Sequence, residues 1–150
     1  MKLPTQQQLT VEQKTPISAP MTQSMIVTGP PGSGKTVVAI YRMRQARKVD
    51  PDRKVTAITY SKLLAHYMHD GGDNTQAQTY HSWLWHYWKK CTGSHPPEIR
   101  RYDYDFSSMI GQAEHISSTN AAVFARWNWG HLVIDEAQDL PLKFFELLQV

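Results

Sequence analysis

Apolar residues along this chain recur with two periods, and the switching between them sets out an alternation of strands and helices. Residues 1–24 are mostly polar and rich in Gln, Thr and Pro, which predicts an extended arm. Leu9 to Lys14 is the exception, because Thr10 followed three residues later by Gln13 has the spacing of a capping box and predicts a brief helix. Met25-Ile26-Val27-Thr28 is a short apolar run that ends in Gly-Pro-Pro-Gly, the signature of a buried strand giving way to a turn. Val37 to Val49 reads as a helix with basic residues on its outer face, Val55 to Tyr60 as a second strand and Lys62 to His69 as a second helix. Strand, Gly-rich loop, helix, strand is a βαβ unit, so the fold class is α/β with a mostly parallel sheet flanked by helices.

Beyond a turn at Gly71 to Asn74, Thr75 to Thr79 predicts a short strand and Tyr80 to Lys90 an aromatic helix. Tyr80, Trp83, Leu84 and Tyr87 repeat at helical spacing, which assigns Trp83 and Leu84 to a core and leaves Trp85 and Trp88 nearer the surface. Residues 91–130 show no clear period and are broken by Pro96-Pro97 and Gly111. They read as a short irregular insertion with helices near Met109 to His115 and Ala121 to Trp129. His131-Leu132-Val133-Ile134 is an apolar strand that runs directly into Asp135-Glu136-Ala137-Gln138-Asp139, and Leu142 to Val150 is helical in pattern. The expected organisation is an N-terminal arm, 1–24, and a partial α/β core, 25–150.

Composition narrows the class without naming a partner. At 150 residues, 41% hydrophobic and 11% aromatic, the chain is expected to be one soluble domain, and disorder and coiled coil are excluded. No apolar run approaches the ~18 residues of a membrane span, and Met1 to Gln8 lacks the apolar centre of a signal peptide, so a cytoplasmic protein without membrane contact is expected. Cys91 is the single cysteine and the seven histidines show no paired-ligand spacing, which argues against a disulfide scaffold or zinc. A net charge of +3 permits a nucleic-acid partner without requiring one. Arg42, Arg44, Arg47, Lys48, Arg53 and Lys54 read as the solvated end of a helix, where cations suit the dipole.

Chemistry concentrates in two places. Gly29-Pro30-Pro31-Gly32-Ser33-Gly34-Lys35-Thr36 fits G-x-x-x-x-G-K-[ST] at every fixed position, between a predicted strand and a predicted helix. Glycines Gly29, Gly32 and Gly34 let the backbone wrap phosphates with N–H groups inward, and the helix starting at Lys35 adds the positive end of its dipole. Ser33 lies in that wrap, Lys35 would reach the β and γ phosphates of ATP, and the Thr36 hydroxyl would coordinate Mg²⁺. At the end of the apolar strand, Asp135 is the expected second Mg²⁺ holder, and Glu136 the carboxylate that orients a water and takes its proton. A small-molecule kinase also uses such a loop. The paired Asp-Glu argues instead for hydrolysis by water.

These residues, with their neighbours, resemble a known family. Ile134 to Asp139 resembles motif II of the UvrD/Rep-like superfamily 1 helicases, and four other segments follow that family's order: the phosphate loop, Leu9 to Gln13 as the Q motif, Thr59-Tyr60-Ser61-Lys62 as motif Ia, and Thr79-Tyr80-His81-Ser82 as motif Ib. The resemblance implies a RecA-like core in which Gln13 reads adenine, Gln138 joins the nucleotide site, Tyr60 borders single-stranded nucleic acid, DNA by the resemblance with RNA left open, and His81 and Ser82 are candidate contacts to its backbone or bases. It implies ATP-driven translocation and duplex unwinding. The 52 residues between Ser82 and Asp135 are few for that family's insertion subdomain, and motifs III to VI with their arginine fingers do not occur in the 11 residues after Asp139. The resemblance thus implies ATP binding with little turnover. It also implies an open edge at Met25 to Thr28 and thin cover for Phe144, Phe145, Leu147 and Leu148, to be completed by the rest of a helicase or by a partner chain. A short nucleotide-binding interaction protein is the alternative, and a P-loop kinase a further one, with Arg100-Arg101 its only nearby arginine pair.

Overall fold

Val55–Thr59 forms strand β1, and each of its five residues is buried, as expected of a strand covered on both faces. It pairs in parallel with β5, His131–Ile134, in a register that sets Val55 against His131 and Ile58 against Ile134. Strand β2, Gln76–Thr79, lies on the other side, so the three-stranded parallel sheet has the order β2-β1-β5. The computed structural model describes residues 3–70 and 76–150, so the turn expected at Gly71 to Asn74 and the strand residue Thr75 lie outside the described residues. It divides into two compact units, Met1–Gln78 with Trp129–Asp135, and Thr79–Asn128 with Glu136–Val150.

In the first unit, helix α2, Lys35–Val49, packs on β1 and β5, and α3, Lys62–Asp70, packs on β1. Ile40, Met43 and Ala46 repeat every three residues along α2, which places them on one face. That face closes a core with Val55 and Ala57, flanked by partly buried Met21, Leu64, Ala77 and Val133. Residues 3–24 are not the extended arm that their polarity suggests. Val11–Ser18 forms α1, opened by the expected capping box, in which the Gln13 N–H donates to Thr10 Oγ1 (3.3 Å) and the Thr10 N–H to Gln13 Oε1 (3.1 Å). Helix α1 packs along α2 and Leu9 is buried.

Two side chains of α2 explain this docking. Tyr41 Oη donates to the Pro4 carbonyl (2.6 Å), and the Arg42 guanidinium donates to the carbonyls of Pro16, Ile17 and Ala19 and to that of Pro20 (2.7 Å). The last carbonyls of a helix have no partners within it, and Arg42 supplies them for α1. Arg42 is therefore a structural donor and not a solvated cation, and burial draws its pKa below the ordinary guanidinium value. The strand expected at Met25 to Thr28 does not form. These residues are irregular and Ile26 is 92% exposed, because among the described residues no strand runs beside them to accept their N–H groups or cover their side chains.

The second unit is built on α4, Tyr80–Thr92, which Thr79 caps by accepting the Ser82 N–H (3.3 Å) and which ends at Gly93 in the left-handed conformation. Its buried face is Tyr80, Trp83, Leu84, Trp88 and Cys91. Trp88, expected nearer the surface, is fully buried under Trp127, whose ring meets it edge-on at 5.3 Å. Residues 91–130 carry more regular structure than their pattern indicates. Glu98–Arg100 (β3) and Asp103–Tyr104 (β4) form an antiparallel hairpin, Phe106–Thr119 forms α5, and Ala121–Phe124 forms α6, continued by one tighter turn to Trp127. Leu142–Leu147 forms α7 and packs on α5. Phe144 and Leu147 do not lack cover. Phe144 is wholly buried, with its ring edge-on to Tyr80 at 5.0 Å and to Trp83 at 5.9 Å. Among the described residues no helix is long and apolar enough to cross a membrane.

The two apolar side chains at opposite extremes of burial should respond differently. Phe144→Ala removes a fully buried ring and should destabilise the second unit by about 3–5 kcal/mol. Ile26→Ser should change stability by no more than about 0.5 kcal/mol. Urea unfolding followed by tryptophan fluorescence and circular dichroism measures both, and a large loss in Ile26→Ser would mean that Met25 to Thr28 pairs after all.

Candidate functional site

Two glycines set the loop between Thr28 and α2. Gly32 has φ 79° and Gly34 φ 83°, a left-handed conformation that costs other residues about 1–2 kcal/mol. A Cβ at Gly34 would also stand 2.5 Å from Gln13 Nε2, so the Gln13 amide would have to move aside. Gly34 is the N-cap of α2, and its carbonyl accepts the Val38 N–H (3.1 Å) that opens the helix. The early N–H groups of α2 have no partners within the helix, so this end of the helix suits an anion.

Side chains hold the loop from both sides. Lys35 Nζ donates to the carbonyls of Gly29 (3.0 Å) and Pro30 (3.2 Å), so the ammonium is bound within the loop itself. Gln13 reaches it from α1, donating from Nε2 to the Ser33 carbonyl (2.9 Å) while its Oε1 accepts from the Thr10 backbone. Each end of that amide keeps one further hydrogen-bonding capacity, which leaves Gln13 able to meet a base edge while it braces the loop. Thr36 lies in the first turn of α2 and is half-buried.

Asp135 follows β5 within the same unit. Its N–H donates to the Ile58 carbonyl (2.9 Å), which continues the β1–β5 ladder to the strand tip, and the residue is only 5% exposed. A carboxylate at such depth is costly unless a cation or hydrogen bonds compensate it. Glu136, the next residue, opens the other unit with φ 53°, a left-handed strain that an ordinary helix cap avoids. Its Oε2 accepts from Gln138 Nε2 at 2.5 Å.

The expected nucleic-acid contacts fall in both units. Tyr60, just past β1, is 53% exposed, Ser82 is exposed, and His81 is half-buried in α4 among the rings of Tyr80, Tyr102 and Tyr104. Burial pulls the His81 pKa below the usual imidazole value, against the opposing pull of Glu98, so this ring is neutral at pH 7.

A family model described as an AAA domain matches residues 13–150. The chain belongs to this AAA-domain family. That family falls in the UvrD/Rep-type P-loop helicase-like group, so the chain carries a nucleotide-binding P-loop domain of helicase type. No curated protein and no solved structure matches. AAA P-loop domains bind nucleotide and usually Mg²⁺, and the residues present fit both. Gly32 leaves open space beside the loop backbone, Lys35 supplies a cation inside it, and Asp135 presents a buried carboxylate at a strand tip. Within this AAA domain, sequence reasoning did not foresee Arg42 as the clamp on α1. Its position four residues after buried Val38 was the available signal, since i and i+4 share a helix face.

Gly34→Ala should lower the thermal stability of the chain by about 1–2 kcal/mol from backbone strain, and further through the contact with Gln13. Adding Gln13→Ala relieves that contact but also removes one bond of the α1 cap and the bond to Ser33, so the double variant should not regain the stability of the unaltered chain. Unchanged melting in Gly34→Ala would show that the loop does not hold the conformation described.

Proposed function

We propose that the chain is the ATP-binding portion of a UvrD-like DNA helicase, whose parent activity is ATP-driven translocation along single-stranded DNA and unwinding of duplex. The observation that carries this reading is the phosphate loop, with its left-handed glycines at the head of α2 and its own lysine held by loop carbonyls. The order of the Q, Ia, Ib and II segments supports it, as does membership of the family.

In this reading Lys35 exchanges the Gly29 and Pro30 carbonyls for β and γ phosphate oxygens, trading neutral acceptors for charged ones and gaining strength. The N–H groups of Gly32, Gly34, Lys35 and Thr36 at the head of α2 take the remaining phosphate charge, while the Ser33 N–H donates to the Pro30 carbonyl. Thr36 and Asp135 would hold Mg²⁺, which when bound would neutralise charge on the phosphates. Glu136 is the base: its Oε2, held by Gln138, accepts a proton from water aligned for in-line attack. Gln13 carries adenine recognition while bracing Ser33. Tyr60 in one unit, and His81 with Ser82 in the other, are proposed contacts to single-stranded DNA. Exposed Met25 to Val27 is the proposed seat for a further strand, from the rest of a helicase or from a partner chain.

Phosphate release with Mg-ATP, with and without single-stranded DNA, tests the assignment. Lys35→Ala should weaken Mg-ATP binding by about 10- to 150-fold, the worth of a charge-assisted hydrogen bond. Glu136→Gln should retain binding and abolish whatever turnover the unaltered chain shows. ATP binding unaffected by Lys35→Ala would contradict the proposal.

A further inference from the structure

The β3–β4 hairpin of the second unit ends in a residue that its backbone does not favour. Tyr102 has φ 66°, and it stands with Glu136 as one of two residues other than glycine with positive φ among the described residues. Glycine or asparagine takes this conformation with least strain, and a tyrosine there is strained. Burial of the ring does not repay that strain, because Tyr102 is 58% exposed.

The ring is nevertheless held in place. It lies 5.4 Å from the His81 ring, the Arg101 guanidinium sits over its face at 5.1 Å, and Arg101 Nη2 donates to its hydroxyl (3.4 Å). Behind it, a continuous series of rings leads inward, from His81 to Tyr80 at 4.8 Å and from Tyr80 to fully buried Phe144 at 5.0 Å. An exposed aromatic surface is thus rigidly tied to the core of its unit. We propose that Tyr102, presented by the β3–β4 turn beside His81, is a stacking platform for an unpaired base of single-stranded nucleic acid. The proposal rests on the helicase-type reading above and extends its nucleic-acid surface to a turn that the family-like segments do not include.

Arg100 and Arg101 on the hairpin are matched by Glu98 and Asp103 and His81 is neutral, so attraction of phosphates adds little to binding at this turn. What it offers is a ring that is 58% exposed although Arg101 sits over one of its faces. Every base has a complementary face, and a base becomes available for stacking once it is unpaired.

Binding of the full chain to a fluorescein-labelled oligothymidylate, followed by anisotropy, tests this beside thermal unfolding. Tyr102→Asn relieves the backbone strain and removes the ring. It should melt at the same temperature or a few degrees higher, and bind about 5- to 150-fold more weakly. Tyr102→Trp should hold the affinity within about twofold, since the larger ring stacks at least as well. The loss in Tyr102→Asn should persist at raised salt, because stacking and not ion release carries it. A Tyr102→Asn variant that binds as the unaltered chain does would overturn the proposal while leaving the helicase-type reading intact. So would a fall in melting temperature at unchanged affinity, which marks the ring as structural, or displacement of the oligonucleotide from Tyr102 by a polyglutamate peptide. Failure of the unaltered chain to bind the oligonucleotide would overturn both.

Discussion

The parallel pairing of β1 with β5 is the constraint on which the first unit depends. It begins where Gly130, at φ 74°, passes against the Lys54 carbonyl so closely that any Cβ would collide with it, and where the His131 N–H donates to that same carbonyl (2.8 Å). From this start the register carries without a slip to Ile58 and Ile134, and it ends with the Asp135 N–H on the Ile58 carbonyl. A slip of one residue would reverse every side chain of β5 and remove Asp135 from the strand tip. Helix α2 then packs across both strands, so the loop at its head and the carboxylate at the end of β5 are fixed by a single sheet.

A second layer of constraint comes from the N-terminal segment. Gln13 ties the capping box of α1 to the Ser33 carbonyl, while Arg42 and Tyr41 fasten the rest of the segment to α2. These bonds join backbone to side chain, so each uses a polar group that would otherwise be left unsatisfied by docking. The phosphate loop therefore has no side-chain bulk of its own at Gly32 and Gly34 and takes its rigidity from α1. Glu136 and Tyr102 both hold left-handed backbones, which cost residues with a Cβ energy.

The local parts of this arrangement were legible in the sequence. The Thr10–Gln13 cap and the apolar runs of β1 and β5 are each decided within a few residues and form as predicted, while Gly29 to Thr36 forms a loop leading into α2 without the strand expected before it. Features that depend on distant partners were not. Met25 to Thr28 has the composition of a buried strand, yet a strand needs a neighbour to take its hydrogen bonds, and none is present among the described residues. Trp88 belongs to the series Tyr80, Leu84, Trp88 and Cys91 at steps of three and four, but its depth depends on Trp127, which is far along the chain. The hairpin at Glu98 to Tyr104 escaped notice because its turn lacks the glycine or asparagine that usually marks one. Arg42 was hidden in a run of basic residues whose pattern reads as a solvated helix end.

The central claim is that residues 29–36 form a loop that closes its backbone N–H groups on phosphate, braced by Gln13 and completed at the β5 tip by Asp135. Residue-resolved amide hydrogen exchange, with and without Mg²⁺ and a non-hydrolysable ATP analogue, tests it most directly. The account predicts slowed exchange at Gly32, Gly34, Lys35 and Thr36, with weaker protection around Asp135. Unchanged exchange across the loop at saturating nucleotide, or protection confined to other segments, would contradict it.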